Sequence, residues 1–206
     1  MPRYDHLGYD REVALNDLEQ QLRRHGIAYE TWGFDGTKTI DDLRTELREG
    51  ESALEVRDKL LVRKVQVVGV DVFADINGAR HILREDRQEF VCDGTIKYRQ
   101  LSTSLGEKMR FGETSREAMA RALHEELGID AAEECIRVGD TQHQLAQSTT
   151  YPGLISEKML TLGAILLAPS QVRQEGYTEC QPTKCTYFSW RLLPELTTGD
   201  SNDLIL

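Results

Sequence analysis

The sequence predicts an α/β fold: a mixed β-sheet covered by helices, an α/β/α sandwich, with a helical extension in front of it. Three observations predict this. The first sixty residues are polar with helix-spaced apolar stripes. From Lys64 the periodicity changes to β-branched, almost wholly apolar runs. A single amphipathic helix near residues 114–128 then interrupts the series of strands, an order that suits a sheet with helical layers. The expected division is an extension over 1–62 and the sandwich over 63–206.

In the extension, Val13 or Ala14 with Leu15, Leu18 and Leu22 mark a first helix ending near Gly26. Ala28 to Gly33 reads as a short strand. Thr39 opens a second helix with Ile40, Leu43 and Leu47 on one face, closed by Gly50. Ser52-x-x-Glu55 has the form of a capping box for a third helix.

KVQVVGVDVFA then reads as a buried central strand. Asn77-Gly78 signals a tight turn into a second strand, ARHILREDRQEFV, and Cys92-Asp93-Gly94 another turn. TIKYRQLSTSLG reads as a third strand. After the helix, CIRVGDTQHQLAQSTT and KMLTLGAILLA are two more, joined through Tyr151-Pro152-Gly153-Leu154, where Pro then Gly suits a type II turn. TYFSWRLLPEL closes the chain as a strand running into a short helix.

The 206 residues are 39% hydrophobic, enough for one good core. A formal net charge of −10 provides no global field for nucleic acid, so duplex DNA is not an expected partner. A local basic patch is left open, and an anionic substrate would need a cation as intermediary. The start MPRYDHLGYDRE lacks the apolar stretch of a signal peptide, and no apolar run reaches the ~20 residues needed to span a bilayer. The expectation is a cytoplasmic protein without a membrane partner. Cys92, Cys135, Cys180 and Cys185 form no CxxC and are expected as reduced thiols; a Cys180–Cys185 pair is within reach but not expected in that compartment.

The helix carries the chemistry. Thr114 and Glu117 form a capping box and Gly128 ends the helix. Residues three and four apart share a helical face, so Ala122, Glu125 and Glu126 are expected to project together. Two adjacent glutamates repel unless a cation or a basic residue lies between them. Arg121, four residues before Glu125, is one candidate for that residue and could instead reach Glu113.

The region resembles the Nudix box, G-x5-E-x7-R-E-U-x-E-E-x-G-U with U a bulky aliphatic. Aligned on Gly128, the matches are Glu113, Arg121, Leu123, Glu125, Glu126 and Ile129. The resemblance extends over roughly residues 64–196, with Phe188-x-Trp190 and Leu193-Pro194-Glu195-Leu196 similar to that family's closing strand and terminal helix. Two positions depart from the pattern. Glu107 stands in place of the opening glycine, with Gly106 one residue earlier, and Ala122 stands where the family has a glutamate that usually ligates Mg²⁺ or acts as general base.

The resemblance implies a Nudix-type sandwich that hydrolyses a phosphoanhydride in a nucleoside diphosphate derivative: a nucleotide sugar, dinucleotide, nucleoside triphosphate or RNA 5′ end. It implies Mg²⁺ or Mn²⁺ held by Glu125 and Glu126, with Glu113 in a structural pair with Arg121. Because Ala122 cannot serve, a base is sought among Glu157, Glu175 and Glu179, with Glu179 ranked first because it precedes the closing strand. Arg110 and Tyr151 are the candidates for substrate binding. Tyr177 and the basic residues Arg80, Arg84, Arg87, Lys97 and Arg99 stand behind them. Ala122 leaves three readings open: a hydrolase with a reduced metal shell, a descendant that only binds a nucleotide or RNA, and an engineered silencing change. A scaffold whose extension binds other proteins is a further alternative, and a homodimer through the extension is left open.

Overall fold

A computed structural model describes residues 17–194. The apolar positions expected at 13–15 and the helix expected after Pro194 lie outside the described residues. The α/β expectation holds. Nine strands form a sheet among these residues, and helices accompany it. Residues 17–67, 108–113 and 141–160 make one compact unit, and residues 68–107, 114–140 and 161–194 another. The expected boundary after residue 62 does not coincide with this division, because the first unit also draws in 108–113 and 141–160.

The first unit begins with α1 (Leu18–Arg24), a 3-10 turn (Tyr29–Thr31) and α2 (Ile40–Glu49). The strand expected at 28–33 is that 3-10 turn. Tyr29 and Trp32, three residues apart, both turn inward with ring centroids 6.4 Å apart, a helical rather than an alternating period. α2 starts as expected: the Thr39 hydroxyl accepts from the Asp42 N–H, and the Asp42 carboxylate accepts from the Thr39 N–H at 2.7 Å. Gly50 closes it in the left-handed region, φ 79°.

The third helix expected at Ser52 is instead β1 (Ser52–Arg57), paired antiparallel with the start of β2 (Leu60–Ile76). Ser52 and Leu54 are buried, the alternation of a strand. Asp58 and Lys59 both take positive φ, the two-residue turn that closes such a hairpin. The Ser52 hydroxyl donates to Glu46 and caps no helix. Leu18, Leu22, Trp32, Leu43, Leu54, Tyr151 and Leu154 belong to this unit's apolar cluster. Gly153 has φ 92° and the Leu154 N–H donates to the Tyr151 carbonyl at 3.1 Å, the expected Pro-Gly turn.

In the second unit the end of β2 pairs antiparallel with β3 (Ala79–Phe90) across Asn77-Gly78, both at positive φ as that dipeptide favours. The expected third strand survives only as β4 (Ile96–Lys97) and β5 (Leu105–Lys108). Between them, side-chain bonds replace the ladder: the Ser104 hydroxyl accepts from the Val72 N–H at 2.9 Å and donates to the Leu83 carbonyl at 2.7 Å. α3 (Ser115–Leu127) follows, then β6 (Arg137–Gln147) and β7 (Ile155–Leu166), which run through residues of both units. β8 (Tyr177–Cys180) pairs with the closing strand β9 (Lys184–Leu192), which pairs with β3. The sheet runs β6-β7-β2-β3-β9-β8, with β1 and β5 on β2 and β4 on β3.

Cys180 and Cys185 face each other across β8 and β9 and form a disulfide, overturning the expectation of four reduced thiols; Cys92 and Cys135 are free. Cross-strand register brings the two sulfurs together, a proximity that spacing alone did not establish. No helix among the described residues is long and apolar enough to cross a membrane.

Candidate active site

α3 is held at both ends as its sequence predicts. The Thr114 hydroxyl accepts from the Glu117 N–H at 3.2 Å, the Glu117 carboxylate accepts from the Thr114 N–H at 2.6 Å, and Gly128 ends the helix at φ 66°. The inner face is Ala118, Met119, Ala122, Leu123 and Leu127. It lies close to the sheet because Gly163 has no side chain: a Cβ there would meet the Met119 sulfur at 2.4 Å. Ala122 is 0% exposed.

The expected common face of Ala122, Glu125 and Glu126 is therefore divided. Successive residues on a helix are about 100° apart, so Glu125 and Glu126 fall on opposite sides of Ala122. The Glu125 side chain is 44% exposed and pairs with Arg121 at 3.2 Å. Glu126 turns to the half-buried side, where its carboxyl is pushed up to about 8. Burial is the main cause, Glu179 and Glu107 add repulsion, Arg99 opposes, and Glu85 adds a little more.

Four elements of the second unit supply this acidic group. Glu126 comes from α3, Glu107 from β5, Glu85 from β3, and Glu179 from β8, a strand that α3 touches. Arg121 reaches Glu107 at 3.4 Å as well as Glu125. Glu85 is nearly buried and forms a two-point pair with Arg99, whose Nε donates to Oε1 at 2.9 Å. Glu179 is half-buried and accepts from the Gln181 amide at 2.6 Å. Sequence reasoning singled out Glu126 and Glu179, but missed Glu107 and Glu85 as members of the group. Glu107 was visible as the residue replacing the box's opening glycine, while Glu85 stands in a strand with no local signal. Gly106 lies in β5, with open space where a Cβ would be.

Other candidates are placed elsewhere. Tyr151 belongs to the core of the first unit, fully buried, with the Trp32 ring 5.1 Å away and the Arg63 guanidinium 5.1 Å from its centroid. That ring packs the interior; it presents no face for a base. Arg110, also in the first unit, is exposed beside a cleft of about 230 Å³, and its N–H donates to Glu113 at 2.8 Å. Glu157 is held by Arg57 at 2.9 Å and by His143 at 3.0 Å. Tyr177 is buried and donates to the Gln171 carbonyl. Arg80 and Arg84 pair with Asp75 and Asp71, each at 2.6 Å, and Arg87 lies over the Tyr187 ring.

The donor set around Glu126 consists of carboxylate oxygens, the hard ligands that suit Mg²⁺ or Mn²⁺. Among the described residues, no three acidic, histidine or cysteine side chains converge into a formed metal cage. The chemistry of the set fits a divalent cation held by one or two carboxylates, with waters and substrate oxygens completing its shell.

No family model matches the chain, and no curated protein matches it. Solved structures do align. The Caenorhabditis elegans Ap4A hydrolase is 13% identical, over 61% of this chain and 77% of that one, with a TM-score of 0.32. The Nudix domain of Shewanella oneidensis NrtR, solved with ADP ribose, is 12% identical over 62% and 71%, with a TM-score of 0.36. A MutT/Nudix family protein from Enterococcus faecalis is 10% identical over 85% and 55%, with a TM-score of 0.40. The structures that align with this chain include Nudix proteins.

Proposed function

We propose that the chain is a hydrolase of a phosphoanhydride in a nucleoside diphosphate derivative, dependent on Mg²⁺ or Mn²⁺. The observation that carries this reading is that Glu179, Glu107 and Glu85, from three strands, lie close enough to repel Glu126 on the helix whose residues match the box spacing. A half-buried carboxylate among like charges is costly unless a proton or a cation compensates. Glu126, with Glu107 or Glu179, would hold the ion. Glu125 would contribute from the exposed side, shared with Arg121. When bound, a divalent ion polarises phosphoryl oxygens and eases attack by water.

The chain's own groups would do the rest. Glu179 is the base of choice, because it is half-buried, lies close enough to repel Glu126 and stands on a separate element. Arg121 holds Glu107 and Glu125 in place, and Arg99 restrains Glu85. Nucleotide sugars, dinucleotides, nucleoside triphosphates and RNA 5′ ends are the substrate classes to be tried. A second reading is favoured by Ala122 and by the lack of a three-carboxylate cage among the described residues: a module that binds a nucleotide or RNA without turning it over.

A panel of these substrates with Mg²⁺ or Mn²⁺, on this chain and on Glu126→Gln, separates the readings. Turnover that disappears in Glu126→Gln supports the hydrolase. Nucleotide-dependent stabilisation without turnover supports the binding module. Neither turnover nor binding removes both.

A further inference from the structure

The first unit carries a cleft of about 410 Å³ that the proposed hydrolysis does not use. In it lies Glu46, 3% exposed and saturated with donors. Arg63 donates from Nη2 at 2.6 Å and from Nε at 3.2 Å to one oxygen, which also accepts from Ser52. Lys38 and Lys108 donate to the other oxygen at 2.7 and 2.8 Å. Lys108 also reaches Glu51 at 2.7 Å. Lys158, from β7, lines the same cleft.

One arginine would suffice to neutralise a buried carboxylate. Here Lys38, Arg63, Lys108 and Lys158 line one cleft, with Glu46 in its wall and Asp42 near Lys38, in a chain whose net charge is −10. Arg63 and Glu46 are the buried members, while the lysines at 38 and 108 retain 40% and 26% of their side-chain exposure. Ser148, Thr149, Thr150 and Ser156 line the same cleft, with the Ser148 and Thr150 hydroxyls 3.3 Å apart and the Ser156 hydroxyl accepting from Arg63 at 3.5 Å. Concentrated positive charge beside neutral hydroxyl donors is the chemistry that recognises phosphate oxygens, and the volume is that of a small-molecule site.

We propose that this cleft binds a small phosphorylated anion, with Lys38, Lys108 and Lys158 supplying charge and the Ser/Thr wall supplying hydrogen bonds. Arg63 is held by Glu46 and by the Tyr151 ring, so it forms a preorganised floor. The site needs no metal and none of the acidic residues of the second unit.

Calorimetric titration of the full chain with inorganic pyrophosphate in EDTA tests this, at low salt and at 0.3 M salt. The expected result is one site that weakens with salt. Lys158→Gln and Lys38→Gln should each bind at least ~10-fold more weakly, and Glu126→Gln should bind as the parent does. Lys158 stands outside the Glu46 network, so an unchanged thermal midpoint in Lys158→Gln confirms that fold loss is not the cause. The proposal is overturned if the parent chain binds no pyrophosphate, if both lysine variants bind as it does, or if Glu126→Gln abolishes binding. Because the titration excludes divalent ions, its failure leaves the hydrolase reading intact, and the reverse also holds.

Discussion

At the scale of single residues, the two box glutamates are unequal. Glu126 is half-buried among carboxylates, whereas Glu125 is exposed and ion-paired with Arg121. Steady-state assays should show Glu126→Gln losing at least ~10²-fold in turnover and Glu125→Gln losing clearly less. Equal losses would mean that both ligate. Ala122 is buried, so Ala122→Glu places a carboxylate four residues before Glu126, where like charges repel. In EDTA this variant should be ~1–3 kcal/mol less stable than the parent, with Mg²⁺ restoring part of the loss in thermal unfolding. No recovery with Mg²⁺ would speak against a cation at this helix. The sequence marked Glu125 and Glu126 by spacing alone, but spacing places both within one arc of the helix, and which of them turns inward depends on where the sheet lies.

At the scale of elements, helix caps and tight turns were legible and long-range pairings were not. Thr39, Thr114, Gly128 and Asn77-Gly78 act locally, through bonds between residues close in the chain, and each does what its neighbours dictate. Ser52-x-x-Glu55 has a capping pattern, yet strand pairing with Leu60–Val65 and the pull of buried Glu46 on the Ser52 hydroxyl prevail. Gly163 shows the reverse dependence, since an element's position rests on a missing atom. Gly163→Ala would press a methyl on Met119 and on the Arg137 carbonyl at 2.9 Å, so chemical denaturation should find it ~1–3 kcal/mol less stable. The β8–β9 hairpin makes a covalent prediction. Thiol titration of the denatured, unreduced chain should find Cys92 and Cys135 only, and all four after reduction.

At the scale of the whole molecule, each compact unit has its own buried charge. Burial alone would raise the Glu46 carboxyl, but Arg63, Lys108 and Lys38 outweigh it and hold the group well below the usual carboxylate range. A lowered folded-state pKa contributes stability that is present above the unfolded value near 4.5 and is lost as pH falls below it. Acid should therefore destabilise the first unit, and Trp32, buried in that unit with its indole N–H bonded to the Pro152 carbonyl at 3.0 Å, reports on it. In a Trp190→Phe background, Trp32 fluorescence should reveal falling stability below pH 4.5. Glu46→Gln should be less stable at neutral pH and should respond less to acid. An equal acid response in both proteins would show that Glu46 does not govern it.

The sequence by itself determined the change from helical to strand periodicity, the capped helix, the tight turns and the residues matching the box, because each follows from interactions within a few positions of the chain. Only the tertiary structure decided that Glu107 and Glu85 join Glu126 and Glu179, that Tyr151 packs the core, and that Lys38, Arg63, Lys108 and Lys158 share a cleft. These groups are far apart in the chain and are brought together by strand register and burial, which no local pattern encodes. An acidic chain can carry a basic cleft for the same reason: net charge sums over the molecule, whereas a ligand meets only the charges that folding sets beside it.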